Sequence, residues 1–326
     1  MTNVVRWGIL SSANIAKKSM VPAIHDADNA ELVAVASKSG KAKQTAEEWG
    51  AKKSYDTYED LLNDPEIDAV YIPLPNSLHK TWVIEAAKHK KHVLVEKPAG
   101  ITSEEVLEMG GAARQNSVIW MEGFMYQFHP QHQYVKKLIS EGSIGDIKKI
   151  RSSFSFPLDL TSDNIRLRQN LGGGSLYDVG CYCVHVSRFI LEEEPLKVFS
   201  SARKLNDSSV DISASAILTF ANADAIIDCS FEEANVNRYE VVGTKGTIEV
   251  PYAFRPDKNP NGGKGEVTLK NSIGDILDHQ EFDANQFTIQ IQHFSQCVLN
   301  GVEPTYTAES TYNNMKVIEA MYQSQG

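Results

Sequence analysis

The first 123 residues alternate short apolar runs with helical patterns, and that alternation leaves few folds open. Val4–Leu10, Leu32–Ala36, Ala69–Ile72, Val93–Val95 and Val118–Met121 read as strands. Between them, Ile15–Ile24, Lys41–Trp49, Thr57–Asn63, His79–Lys88 and Ser103–Gln115 read as helices. Pro22 is expected to kink the first helix or end it early, because it lacks the N–H an inner turn needs. Gly50 stops the second. Thr57 with Asp60, and Thr102 with Glu105, have the spacing of capping boxes. Strands separated by helices form βαβ units, which place the strands parallel with helices over the sheet.

The pattern changes after Gly123. Phe124–Pro130 is an aromatic, turn-prone link, and Gln131–Ser140 reads as a helix. Strands then dominate: Ile147–Phe156, Leu196–Leu205, Ile212–Phe220, Ala225–Phe231, Tyr239–Val242 and Thr247–Val250. Ile212, Ala214, Ala216, Leu218 and Phe220 alternate with smaller or polar residues, the signature of an antiparallel sheet with one apolar face. The other face, with Ser213, Ser215, Ile217 and Thr219, is mild enough to pack on a second sheet, so a homodimer or homotetramer through the C-terminal sheet is expected. Asp257–Gly265 reads as a flexible loop, and helices return over Asn285–Leu299 and Ala308–Gln323. The expected class is α/β, with a parallel-sheet domain over 1–123 and an α+β domain with an open, mainly antiparallel sheet over 124–326.

Ligands of an open parallel sheet bind at the carboxyl ends of its strands, and the chemistry-bearing residues cluster there. Val93-Leu94-Val95 runs into Glu96-Lys97-Pro98, which puts an amine at the sheet edge on a rigid base; alone, the stretch fits a surface lysine equally well. The first strand–helix junction reads Gly8-Ile9-Leu10-Ser11-Ser12-Ala13-Asn14-Ile15-Ala16. A dinucleotide fingerprint would have G-x-G-x-x-G/A here. Ser11, Ala13 and Ala16 depart from it but are small, so a pyrophosphate can still approach the helix-start N–H groups. The second strand ends at Ser37-Lys38 with no acid for a ribose 2′-hydroxyl. An amine there suits a 2′-phosphate, hence NADP rather than NAD, although a basic run such as Lys38, Lys41 and Lys43 is more commonly a solvated helix start. Pro73-Leu74-Pro75-Asn76-Ser77-Leu78-His79 follows a third strand end; Asn76 and His79 are expected to face the same crevice, unless Asn76 only caps the helix.

In the second half, Gly172-Gly173-Gly174 permits a tight turn before a helix starting near Ser175. Asp178, Tyr182 and His185 then fall at i, i+4 and i+7 on one face, which suits a proton-handling set, although a buried tyrosine satisfied by a neighbour is the commoner arrangement. Cys181, Cys183 and His185 do not read as a metal site, since i and i+2 diverge on a helix. Arg166 and Arg168 are candidates for cofactor or substrate contact or, equally, for surface salt bridges, and Tyr126, Phe128 and His129 for the substrate pocket.

Net charge is −10, which argues against nucleic acid or an anionic membrane surface as partner. No run approaches a membrane span. The four cysteines form no C-x-x-C pair, which fits a reducing cytoplasm.

Taken together, the Gly8–Ala16 junction, the Pro73–His79 loop, Glu96-Lys97-Pro98, the Gly172–Tyr182 segment and Val242-Gly243-Thr244-Lys245-Gly246 resemble the Gfo/Idh/MocA oxidoreductases over essentially the whole chain. The resemblance implies a Rossmann domain, an open antiparallel sheet, and a C-terminal helix, 308–323, that packs back on the first domain. It implies hydride transfer between a nicotinamide cofactor and the carbinol carbon of a sugar, polyol or vicinal diol. Many members carry His four residues after the Asp; Tyr182 resembles instead the branch of dimeric dihydrodiol dehydrogenases, glucose–fructose oxidoreductase and NADP-dependent xylose dehydrogenases. Carried over, Lys97 and Tyr182 are the catalytic pair, assisted by Asp178. An unperturbed phenol has a pKa of about 10, and Lys97 is expected to lower it. The cofactor is expected on Ser11, Ser12, Ala13, Asn14 and Ile15 at the first junction, on Ser37 and Lys38 at the second strand, on Pro73, Leu74, Asn76 and His79 in the proline loop, and on Glu96, Lys97 and Arg166. No metal is expected. Two alternatives share the fold: a non-catalytic NADP-binding sensor and a redox-assisted, NAD-dependent glycosidase. Intact Lys97, Asp178 and Tyr182 argue against the first, and Lys38 against the second.

Overall fold

A computed structural model describes residues 4–206 and 208–325. Two compact units make up the chain: the part up to Met125 together with Asn285–Tyr312, and Tyr126–Ala284 together with the part from Asn313 onward.

The first unit holds a six-stranded parallel sheet of β1 (Val5–Leu10), β2 (Ala30–Ala36), β3 (Lys53–Tyr55), β4 (Ala69–Ile72), β5 (His92–Val95) and β6 (Trp120–Glu122), in the order β3-β2-β1-β4-β5-β6. Its inner strands are buried on both faces, which is why they read as unbroken apolar runs. The helices between them are α1 (Val21–Asp26), α2 (Ala42–Trp49), α3 (Tyr58–Leu62), α4 (Asn76–Lys88) and α5 (Ser103–Asn116). The helix Gln286–Asn300, far along the chain, packs on α1 and β1 in this unit. Trp7 shows what that adds: fully buried, it donates its indole N–H to Ser295 at 3.2 Å, and its ring lies 5.4 Å from Phe294.

Local signals place the helix ends. Thr57 accepts the Asp60 N–H and Thr102 accepts the Glu105 N–H, while Glu105 takes the Ile101 N–H at 2.9 Å. Gly50 caps α2 with φ +71°. Pro22 does not end its helix. A π-helical turn, Ala16–Met20, precedes α1, and the Val21 N–H reaches back to Ala16. Pro22 then falls in the first turn of α1, where a missing N–H costs little. α4 starts at Asn76, three residues before the expected His79, and β3 is a strand the sequence pattern does not reveal.

The second unit holds α6 (Pro130–Ser140), β7 (Ile147–Ser155), α7 (Cys181–Leu191), β8 (Lys197–Lys204), β9 (Asp211–Thr219), β10 (Asp224–Ser230), β11 (Val236–Gly243), β12 (Gly246–Pro251), β13 (Gly265–Asn271) and β14 (Ile276–Phe282). The eight strands run in the order β14-β13-β12-β11-β7-β10-β9-β8. Neighbours are antiparallel except β7 and β10, which are parallel. One face is apolar and carries α7 on β7 and β10: Ile212, Ala214, Ala216 and Leu218 are buried, as the alternation requires. The opposite face exposes Phe199, Ile217 and Ile226 in one cross-strand row. β13 and β14 are strands the sequence pattern misses, and the segment read as a flexible loop before β13 is closed on itself. The Asn259 amide donates to the Lys264 carbonyl at 2.8 Å and to Glu266 at 2.6 Å.

Candidate active site

In the first unit the strand order reverses between β1 and β4, so the crevice of this sheet opens at their carboxyl ends. β1 runs into Ser11, whose φ of +132° is one that L-residues rarely adopt. The Ser11 amide is tied to the Ala36 carbonyl at the end of β2 at 2.8 Å. Helical backbone starts at Asn14, which is exposed, with Ser11, Ser12, Ala13 and Ile15 half-buried around it. The Ser12 hydroxyl lies 3.3 Å from that of buried Ser37, and Ser37 lies 2.9 Å from the Ser39 hydroxyl. Lys38 is exposed, and its ammonium stands over the rings of Trp82 at 4.6 Å and Tyr58 at 4.8 Å, with Glu59 at 3.6 Å. Helix-start amides, which have no intrahelical acceptor, serine hydroxyls and an amine at the second strand end fit an anionic dinucleotide. Tyr58, Glu59 and Trp82 are not among the residues expected from sequence. No spacing links them to Lys38; the strand order does.

Lys97 follows β5 on a turn that is held from several sides. Glu96 accepts the hydroxyl of fully buried Tyr71, and its other oxygen lies 3.3 Å from the Lys97 N–H. On β6, buried Glu122 accepts the Ala99 N–H at 2.8 Å and the Tyr306 hydroxyl at 3.1 Å. His79 is fully buried, with its ring nitrogens 2.9 Å from the Pro98 carbonyl and 2.8 Å from the Leu74 carbonyl. Burial outweighs those carbonyls and pushes its pKa down to about 4. At neutral pH the ring is uncharged and donates one N–H. The expectation that His79 faces the crevice needs correcting: it fastens the proline loop to the Lys97-Pro98 turn. Pro73 and Leu74 are buried beside it, and Asn76 is the first residue of α4 behind Pro75 rather than its cap.

In the second unit the glycine turn folds back over Arg166–Arg168. The Gly173 and Gly174 amides donate to the Arg168 and Arg166 carbonyls, both at 3.0 Å, and a Cβ on Gly173 would meet the Arg166 carbonyl oxygen at 2.5 Å. A π-helical turn, Leu176–Gly180, leads into α7. Arg166 donates through Nε to Asp178 at 2.5 Å. Asp178, and to a smaller extent Tyr182, hold the Arg166 pKa above its ordinary value, so the carboxylate and the phenol each lie within electrostatic reach of the guanidinium. Tyr182 is buried, its ring packed against Phe154 and Phe254. Arg168 pairs with Asp163 instead.

His185 is linked to Tyr182 through Tyr126, whose ring lies 5.7 Å from that of Tyr182. It is buried, and its Nδ1 lies 2.5 Å from the hydroxyl of Tyr126, which is itself fully buried. Burial holds the His185 pKa well below the usual histidine value. The π turn shifts the phase between Asp178 and the residues of α7, Tyr182 and His185 alike. Tyr126 and His129 are likewise buried, His129 accepting the Gln131 N–H at the start of α6. Cys183 is pushed up to about 12 by burial and faces the Asp228 carbonyl. Among the described residues no group of three His, Cys, Asp or Glu is arranged to hold a metal.

Comparison with known proteins bears on both units. A family model described as an oxidoreductase family with NAD-binding Rossmann fold matches residues 5–124. A second, for the GFO/IDH/MocA C-terminal domain, matches residues 132–249. A D-xylose 1-dehydrogenase (NADP(+)) from Haloferax volcanii is 34% identical over 98% of this chain and 96% of its own. A trans-1,2-dihydrobenzene-1,2-diol dehydrogenase from Xenopus laevis is 31% identical over 91% of this chain and 90% of its own. Among solved structures, a 3-ketoreductase from Actinomadura kijaniata in complex with NADP and TDP-benzene superposes with a TM-score of 0.90 at 30% identity, covering 99% of this chain and 98% of that one.

Proposed function

The chain belongs to the GFO/IDH/MocA oxidoreductase family, and on that footing we propose that it is an NADP-dependent oxidoreductase that moves a hydride between nicotinamide and the carbinol carbon of a sugar, polyol or vicinal diol. The observation that carries this reading is the group Arg166, Asp178 and Tyr182, a charged pair and, four residues after its acid, a buried phenol, in a chain whose full-length relatives are dehydrogenases. Bound NADP supplies the hydride chemistry. Ser11, Ser12, Ala13, Asn14 and Ile15 would hold its pyrophosphate, and Ser37 and Lys38 its 2′-phosphate. Glu96, held by Tyr71, would help hold the cofactor beside the Lys97 turn. Tyr182 takes the proton of the substrate hydroxyl on oxidation and returns it on reduction. Lys97 and Asp178 assist it, Asp178 through its pair with Arg166. A placed acid/base of this kind contributes roughly a hundred- to ten-thousandfold.

The exposed row Phe199, Ile217 and Ile226 supports a homodimer or homotetramer through that sheet face. Four free, buried cysteines support a reducing, cytoplasmic setting.

Fluorescence titration with NADPH and with NADH, followed by turnover of aldoses, polyols and diols, tests the reading. NADPH is expected to bind more tightly, and Tyr182→Phe to lose at least a hundredfold in kcat with NADPH binding intact. Failure of both nucleotides to bind, or full activity of Tyr182→Phe, would overturn it.

A further inference from the structure

Asp211 opens β9 and is fully buried. Its Oδ2 accepts the Ser175 hydroxyl at 2.6 Å and the Leu176 N–H at 2.7 Å. Its Oδ1 accepts the Tyr322 hydroxyl at 2.7 Å. Ser175 and Leu176 begin the helical segment that carries Asp178 and Tyr182. Tyr322 lies near the end of the last helix, Ala308–Ser324, and its ring packs on Tyr177, centroids 5.1 Å apart. Gly174 leaves the space free: with φ +134°, its Cβ would stand 2.3 Å from Asp211 Oδ1 and 3.0 Å from the Tyr322 hydroxyl.

A carboxylate this deep is costly to bury unless donors meet it, and charge-assisted donors hold their geometry more tightly than neutral ones. The first amides of a helix have no partner within it, and here Ser175 makes no local cap. A carboxylate from another strand does that work. Burial and the neighbouring Asp211 hold the Tyr322 phenol well above its ordinary pKa, so it stays a donor.

We propose that Asp211 and Tyr322 are positioning residues that fix the first turn of the helix bearing Asp178 and Tyr182, so that the last helix of the chain sets the aim of the acid/base group. The inference rests on the role proposed for Tyr182. Reacting groups misplaced by about 1 Å can cost on the order of a hundredfold in rate, and this latch guards against such a shift.

Tyr322→Phe removes one hydroxyl and keeps the ring on Tyr177; Asp211→Asn keeps the volume but turns an amide toward donors. The measurements are kcat, KM, NADPH affinity and amide hydrogen exchange at Leu176. Tyr322→Phe is expected to lower kcat about tenfold and Asp211→Asn about a hundredfold, with NADPH affinity unchanged and faster exchange at Leu176. In a Tyr182→Phe background, Tyr322→Phe is expected to lower the residual rate no further, since groups acting as a unit are not additive. Unchanged kcat, an equal fall in NADPH affinity, or additive losses in that background would overturn the proposal. Should the wild-type protein turn over no sugar, polyol or diol, the functional reading fails by itself, and exchange at Leu176 decides the latch: unaltered protection in Tyr322→Phe overturns it.

Discussion

At Ser11 the backbone adopts φ +132°, a conformation in which a side chain costs about 1–3 kcal/mol and glycine costs little. The residue that departs from the glycine fingerprint therefore still adopts a backbone that glycine would favour. Ser11→Gly is expected to raise stability by about 1 kcal/mol, because relieved strain exceeds the added freedom of the unfolded chain; urea denaturation measures it, and a lower midpoint would show the turn unstrained. Lys38 poses a different residue-scale question. Its ammonium lies over Trp82 and Tyr58 with Glu59 at 3.6 Å. Hydrogen bonds to charged groups contribute about 1.5–3 kcal/mol. Lys38→Ala should thus weaken NADPH on the order of ten- to a hundredfold and leave NADH nearly unaffected, read by parallel titration. That Lys38 ends the second strand is legible in the sequence. Its two rings and its acid are not, because Tyr58, Glu59 and Trp82 reach it only through strand order.

Elements divide in the same way. Capping boxes are local, so Thr57 with Asp60 and Thr102 with Glu105 can be recognised three residues apart and are found in place. Thr102→Ala is expected to cost about 1 kcal/mol by removing the acceptor of the Glu105 N–H, seen as a lower urea midpoint with NADPH binding retained. β14 is the contrary case. Leu277-Asp278-His279-Gln280-Glu281 shows no apolar alternation, and most of the strand is exposed. It is a strand because β13 offers it an edge, and β13 in turn pairs with β12. The π turn before α7 is also invisible to periodicity. Helical wheels assume 3.6 residues per turn throughout, and one wider turn breaks the phase.

For the whole molecule, acid is the informative stress. His79 and His129 are pushed down to about 4 and His132 to about 3 from the ordinary 6.5, in each case first by burial. The folded protein therefore holds these rings neutral where the unfolded chain would protonate them. Stability from these rings is full above pH 6.5 and declines as pH falls toward the folded pKa values, since the unfolded state then binds more protons. The drop from 6.5 to about 4 at His79 alone corresponds to about 3 kcal/mol, a large share of the ~5–15 kcal/mol that holds a domain. Thermal melts from pH 7.5 to 4.5 are expected to show a falling midpoint that steepens below pH 6.5. A midpoint flat over that range would mean that the buried rings are charged in the fold.

Both layers of the fold, the strand-end position of Lys97, the glycine turn before Asp178 and the cap at each of two helices are written in short spacings, because each depends on contacts within a few residues or on the period of an apolar face. Tertiary structure alone decided that His79 staples the Lys97 turn, that Arg166 takes Asp178, that Tyr126 claims His185, and that Asp211 joins residue 175 to residue 322. Those partners lie 12 to 111 residues apart. Chain reversal through a specific strand order brings them together, and a buried polar group accepts whichever partner that order delivers.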